Sequence, residues 1–247
     1  MPFTSPPITP MPGSQRGYSL IEVSVVVGVL GVLTFAVTSG LENIQRFREQ
    51  RAAIANAEAA RNAVRAFALN NKRLPCPASS SSYREALPPC TQGSGWFPYE
   101  TVGIAPPPER NRMKYGVYIS NTSNLTAPAR SASDGIDAER SGGFMLALAA
   151  AAAAPAQTST PYYVQSSAQG SSVSCSGASS ANPAFVIIAP ATDLTGNNSN
   201  FEAPHIAFGT GSNCVASPAH RADAGSDDVV VAESTAELLG WITNSTR

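Results

Sequence analysis

The sequence predicts an α+β protein: one long N-terminal helix with a membrane-spanning first half, packed through its second half on an antiparallel β-sheet head with long loops. Three observations predict this. Residues 18–74 contain no proline and keep a helical pattern of apolar positions. Beyond them, short apolar segments alternate with clusters of Gly, Pro, Asn and Ser, the layout of strands joined by loops. The first half of the helical stretch holds 19 consecutive uncharged residues, 23–41. That is close to the roughly 20 that span a bilayer.

Residues 17–37 read GYSLIEVSVVVGVLGVLTFAV. A small residue, Gly17, precedes an aromatic one, Tyr18, and a single carboxylate, Glu22, stands at the edge of the apolar run. An acid in that position is expensive, and its presence calls for a mechanism. An ordinary secretory signal peptide fits poorly. The leader has one charge and five prolines, and the helical pattern continues far past the apolar core. A plain membrane anchor explains the length of the run but not Gly17, Tyr18 and Glu22 together.

The arrangement resembles the class III signal of type IV pilins and pseudopilins. The resemblance implies that a prepilin peptidase cuts between Gly17 and Tyr18. It also implies that the new Tyr18 amine is methylated and that Glu22 becomes the fifth mature residue. Arg16 supplies the basic residue before the glycine. Tyr18 stands where phenylalanine is commoner, and the leader is long and proline-rich. Residues 37–40 lack the proline that many major pilins carry there, which leans toward a pseudopilin or minor pilin. In a filament, Glu22 would pair with the Tyr18 amine of a neighbouring subunit. Each charge alone suffers a desolvation penalty of several kcal/mol, so pairing sets the register of the helices. The competing role for Glu22 is snorkelling to the headgroups from the helix end.

Past the apolar run, Ile44, Phe47, Ile54, Ala57, Val64 and Phe67 form one apolar stripe, with Arg46, Glu49, Arg61 and Arg65 opposite. The helix is expected to end at Asn70 or Asn71. Leu74-Pro75-Cys76-Pro77 follows, and its two prolines forbid continuation. This L-P-C-P run resembles the post-helix junction in a proteobacterial branch of pilin-like proteins, with Ala78 where an acidic residue often follows. The predicted organisation is a cleaved leader over 1–17, a membrane and filament-core helix over 18–38, its amphipathic continuation over 39–72, and a periplasmic α+β head over 73–247. Within the head, 78–112 reads as loop. Strands are expected at 115–119, 144–148, 162–165, 185–189, 206–208 and 228–232. The apolar run 144–154 is too short to span a membrane and reads as a core strand entering an alanine-rich turn of helix.

The four cysteines, Cys76, Cys90, Cys175 and Cys214, contain no C-x-x-C. That argues against a zinc ribbon, a thioredoxin-like site and c-type haem attachment. An even count behind an export signal reads as two disulfides. Of the three possible connectivities, Cys76–Cys90 with Cys175–Cys214 is favoured because each pair brackets a local loop. Arg46, Arg48 and Arg51 lie beyond the apolar run and, by the positive-inside rule, would place the C-terminal side in the cytoplasm. The cysteines call for an oxidising side, and the cleavage motif is more specific than a three-charge count. Both place the head in the periplasm.

No G-x-S-x-G elbow, P-loop, H-E-x-x-H or G-x-G-x-x-G occurs, and His205 and His220 lie in Pro/Ala-rich loops. No enzyme and no cofactor are expected. Asp223, Asp227, Asp228 and Glu233 form the densest acidic cluster. The resemblance makes the first three candidate calcium ligands, since some pseudopilins bind calcium in a C-terminal loop, but their spacing matches no EF-hand loop, and a solvated turn before a strand is the plainer reading. Arg110, Arg112 and Lys114 form a small basic patch beside Tyr115, with too few charges for strong phosphate binding. With 16 basic and 17 acidic residues, no nucleic-acid partner is expected. The expected role is a structural subunit of a type II secretion pseudopilus or a type IV pilus. Its partners would be other pilin or pseudopilin subunits, the prepilin peptidase and the inner-membrane assembly platform. The subunit would wait in the inner membrane with its head in the periplasm. The alternative is a membrane-anchored periplasmic domain that binds a ligand or a protein and forms no filament.

Overall fold

A computed structural model describes residues 19–121, 123–127, 143–164, 173, 175, 180–194, 196, 199–223 and 225–245, with side chains for all of these except 36–43. The chain is α+β with an antiparallel main sheet, and it falls into two units, Met1–Gln45 and Arg46–Arg247. Helix α1, Leu20–Asn71, contributes to both. Among the described residues no helix is long and apolar enough to cross a membrane. The expected span 18–38 lies partly outside them, because Tyr18 is not described and side chains are described only as far as Phe35.

Helix α1 stops where the chain chemistry changes. Lys72 adopts a left-handed conformation, φ 55°, and its N–H bonds the Ala68 carbonyl at 2.8 Å. That is the geometry of a helix C-cap, and Pro75 then prevents any resumption. Residues 46–71 of α1 belong to the same unit as the head and supply core residues to it.

The buried face of α1 is Ala53, Ala57, Ala60, Val64 and Ala68, spaced by three or four. Ile44, Phe47 and Ile54, expected on the packing stripe, are exposed. Arg65, expected on the opposite face, reaches Glu233 with bonds of 2.6 and 2.8 Å. Size was the wrong guide here. The face that meets the head is the one whose small side chains let a helix backbone come close.

The main sheet uses β1 (Ser94–Trp96), β2 (Lys114–Val117), β5 (Phe185–Ala189) and β7 (Val229–Glu233), in the order β1-β2-β5-β7. All its pairings are antiparallel. A smaller sheet holds β3 (Tyr162–Val164) between β4 (Ser180–Ala181) and β6 (Cys214–Val215), with β3 and β6 parallel. Helices α2 (Phe144–Ala153) and α3 (Thr235–Ser245) pack on each other. Residues alternate across the main sheet. Tyr115, Val117, Phe185, Ile187 and Val231 join the core with α1, Leu148 and Leu238. Val186, Ile188 and Val230 join a second core with Phe201, Phe208 and Val215. Gly116 lies where the second layer presses closest. A Cβ there would meet Phe208, Pro161 and Val186 side-chain atoms at 2.7–2.9 Å.

Several segments of the head take a form other than the expected one. The segment at 144–148 is helix, because Phe144, Met145, Leu148 and Ala151 are buried at helical rather than alternating spacing. The segment at 206–208 is a 3₁₀ turn, His205–Ala207, whose carbonyls converge on one ammonium as a strand's could not. The loop 78–112 contains β1 and a 3₁₀ turn, Glu109–Asn111. The last strand begins one residue later than expected. Strands β4 and β6 and helix α3 were not anticipated.

Replacing Ala60 by Leu on the buried α1 face is expected to cost about 1–3 kcal/mol through overpacking. Ala66→Leu on the exposed face should be near neutral. Denaturant midpoints of the two variants check this, and equal midpoints would refute the packing assignment.

Candidate functional site

Gly17 and Tyr18 lie outside the described residues. Glu22 does not, and its carboxylate accepts the Ser19 N–H at 3.2 Å while the Ser19 hydroxyl accepts the Ile21 N–H at 3.3 Å. Ser19-Leu20-Ile21-Glu22 is thus a capping box, S-x-x-E, at the start of α1. Glu22 therefore has a local role that the sequence reading missed, although the motif was visible. Around it, every Val, Leu, Ile and Phe in residues 20–35 is exposed, Leu20 to 90% and Phe35 to 77%.

In the head, a carboxylate cluster forms from two distant segments. Asp227 and Asp228 immediately precede β7, and Glu202 precedes the His205–Ala207 turn. Carboxylate oxygens of the three lie within 4.8 Å of one another. Asp223, a predicted member, is not among them. Its Oδ1 accepts the Gly225 and Ser226 N–H groups of its own turn at 2.8 and 3.0 Å, and its Oδ2 stands 3.6 Å from His220 Nε2. Glu233 is elsewhere too, paired with Arg65. Glu202, which carried no local signal, takes the place of Asp223.

Most polar atoms of the cluster are committed. Asp228 Oδ2 receives His205 Nδ1 at 2.7 Å and the Glu202 N–H at 3.1 Å. His205 Nε2 accepts the Ala216 N–H at 3.0 Å, so the imidazole proton sits on Nδ1 and points at Asp228. That arrangement leaves His205 no lone pair with which to activate a hydroxyl. Both Asp227 oxygens take the Thr192 N–H at 3.2 Å, and Glu202 Oε1 takes the Leu194 N–H at 3.1 Å. Two atoms remain. Glu202 Oε2 and Asp228 Oδ1 are buried and have no hydrogen-bond partner among the described residues. Burial pushes the Glu202 carboxyl up to about 7, the charges of Asp228 and Asp227 push the same way, and the Leu194 N–H pulls against them. Burial also raises Asp227, opposed by Thr192.

The predicted basic patch is not a surface feature. Lys114 is buried on β2, and its ammonium donates to the carbonyls of His205, Ile206 and Phe208 at 2.6, 2.8 and 3.1 Å. Burial lowers it to about 8, with Asp228 opposing. Arg112, also buried, donates to the Ser80 and Ser82 carbonyls at 2.6 and 2.7 Å and stacks over Tyr83 and Trp96. Of the three, Arg110 alone is exposed.

Cys76 is bonded to Cys90 and Cys175 to Cys214, with Cα separations of 5.8 and 5.9 Å. At the junction after α1, the Glu85 carboxylate accepts two Arg73 bonds, 2.8 and 2.6 Å, and the Cys76 N–H at 2.9 Å. Comparison of the chain with family models, with curated proteins and with solved structures finds no match. The sites rest on their own chemistry.

Burial alone would raise the Glu85 carboxyl, but Arg73 and the Cys76 N–H outweigh it and hold Glu85 below its ordinary range. A carboxylate held low in the folded state contributes stability above its unfolded pKa, and that stability is lost as pH falls through the folded value. Stability should therefore drop more steeply below about pH 4 in the wild type than in Glu85→Gln. Urea midpoints across the acid range read the difference, and parallel curves would show that Glu85 contributes nothing.

Proposed function

We propose that this chain is a structural subunit, a pseudopilin or minor pilin. Prepilin peptidase processes it between Gly17 and Tyr18, and it assembles into a type II secretion pseudopilus or a type IV pilus. One observation carries the reading: residues 20–35 of α1 expose every large apolar side chain, with a single carboxylate at the helix start. A helix apolar all round works buried rather than in water. Each Å² of that surface removed from water is favourable by about 25 cal/mol. Lipid supplies the cover before assembly, and the helices of neighbouring subunits supply it afterwards.

The signal-like residues around Gly17 support processing, and the two disulfides suit an oxidising periplasm. The role is assembly rather than catalysis. Glu22 serves two ends in this reading. In the isolated helix it caps its own first turn, and in the filament its charge pairs with the Tyr18 amine of a neighbour.

Intact mass and N-terminal peptide analysis of the membrane-extracted protein should find a chain that begins at Tyr18 with one methyl on its amine. A chain that begins at Met1 in cells with an active prepilin peptidase would sink the proposal and leave an anchored binding domain. The two roles of Glu22 separate by substitution. Glutamine keeps the capping box and removes the charge. Both Glu22→Gln and Glu22→Ala should insert normally and fail to enter filaments. Wild-type incorporation of Glu22→Gln would reduce Glu22 to a helix cap.

A further inference from the structure

We propose that Arg46, Arg48 and Arg51 form a binding surface for the headgroups of anionic phospholipids on the head side of the membrane. This role rests on residues 23–41 lying in a bilayer, as proposed above, and needs neither cleavage at Gly17 nor a filament.

Three arginines just past an apolar run oppose the positive-inside rule when the head is periplasmic. The head gives them nothing to do. All three are exposed, and none donates a hydrogen bond to a described residue. Farther along the chain the pattern is different: Arg61 pairs with Glu58, Arg65 with Glu233 and Arg73 with Glu85. The acid that stands among the three is committed to the head, since Glu49 Oε2 accepts the Thr192 hydroxyl at 3.1 Å. Counting Glu42, residues 42–57 hold three arginines against two glutamates. A second copy of α1 offers these arginines no better partner, because its Glu49 and Glu58 are engaged in the same way.

Phe47 lies in the middle of the group and is 53% exposed, with the Arg51 guanidinium 4.2 Å from its ring centre. Phe47 and Arg51 share one helix face at i, i+4, and Arg48 flanks it. A ring and a cation held together suit the layer between acyl chains and water, where the ring meets the apolar side and the guanidinium the phosphates. Arg46 follows Leu41, the last residue of the uncharged run, by five positions and Arg51 by ten. A helix covers those steps in about 8 and 15 Å. The headgroup layer of one leaflet is roughly 5–8 Å thick. Helical side chains lean toward the N-terminus, so these arginines lean toward the apolar run, and their long stems close the remaining gap. Guanidinium matches phosphate with two parallel N–H donors. A zwitterionic lipid carries the same phosphate beside its own cation, so the surface selects lipids with net negative charge.

The test uses the full-length protein in phosphatidylcholine vesicles. Spin-labelled phosphatidylglycerol or spin-labelled phosphatidylcholine is the probe lipid, and its motionally restricted fraction is the readout. The wild type should hold phosphatidylglycerol about threefold more strongly than phosphatidylcholine at low salt. The preference should collapse in about 1 M sodium chloride. The triple variant Arg46→Gln, Arg48→Gln, Arg51→Gln should float with the vesicles and lose the preference. The pair Arg48→Gln with Arg51→Gln should lose most of it and serves if the triple variant does not fold. Arg110→Gln, an exposed arginine of the head, should keep it whole. A wild type that floats and shows no preference overturns the proposal alone, and cross-links between copies that vanish in the triple variant would then give the arginines to a second copy. A preference that survives in the triple variant also overturns it. A chain that does not float overturns the membrane reading together with this one. A chain that begins at Met1, floats and prefers phosphatidylglycerol bears out the lipid surface and removes only the processing.

Discussion

Strand β5 has no exposed residue, and the layers that cover its two faces are built differently. On one side lies a regular helix, which satisfies its own backbone and meets the sheet through alanines. On the other side lies irregular chain around residues 199–217, whose carbonyls cannot all find partners within a ladder. That second layer depends on Lys114. One ammonium gathers three carbonyls from the His205–Ala207 turn and Phe208, and so fixes the turn against the sheet. Burying a charge is costly, but three charge-assisted hydrogen bonds offset it. Arg112 does the same for the carbonyls of Ser80 and Ser82. These two buried cations act as internal clamps for irregular backbone.

This division explains what could be read in advance. The end of α1 was legible because Pro75 and Pro77 leave little freedom, and β5 was legible because its five apolar residues are bounded by turn formers. Helix α2 was misread because its aromatic and branched start looks like a strand, although the 144, 145, 148, 151 spacing was already present. Helix α3 announces itself with Ser234-Thr235-Ala236-Glu237, a second capping box, closed by bonds of 2.9 and 3.1 Å. Strands β4 and β6, two residues each, carry no local signal and exist through their pairing with β3.

The carboxylate cluster was half legible for a related reason. Asp227 and Asp228 are adjacent in sequence and stand before a strand, so they invite attention. Glu202 is distant from them in sequence and meets them only in the folded head, where its backbone N–H bonds Asp228. Asp223 looked equivalent to them on paper, but short-range N–H groups of its own turn claim it first. Local bonding decides which acids are left over for one another, and spacing alone does not show it.

Two guanidinium–carboxylate forks flank the end of α1. Arg65 grips Glu233 on β7, and Arg73 grips Glu85 beside the Cys76–Cys90 disulfide. The Arg65–Glu233 bonds cross between α1 and β7, and the Arg73–Glu85 bonds close the turn that follows the helix. Tension applied along α1 would therefore reach the sheet as shear, shared among many contacts at once, instead of peeling them open in turn. The last turns of the helix and the head would yield together or not at all.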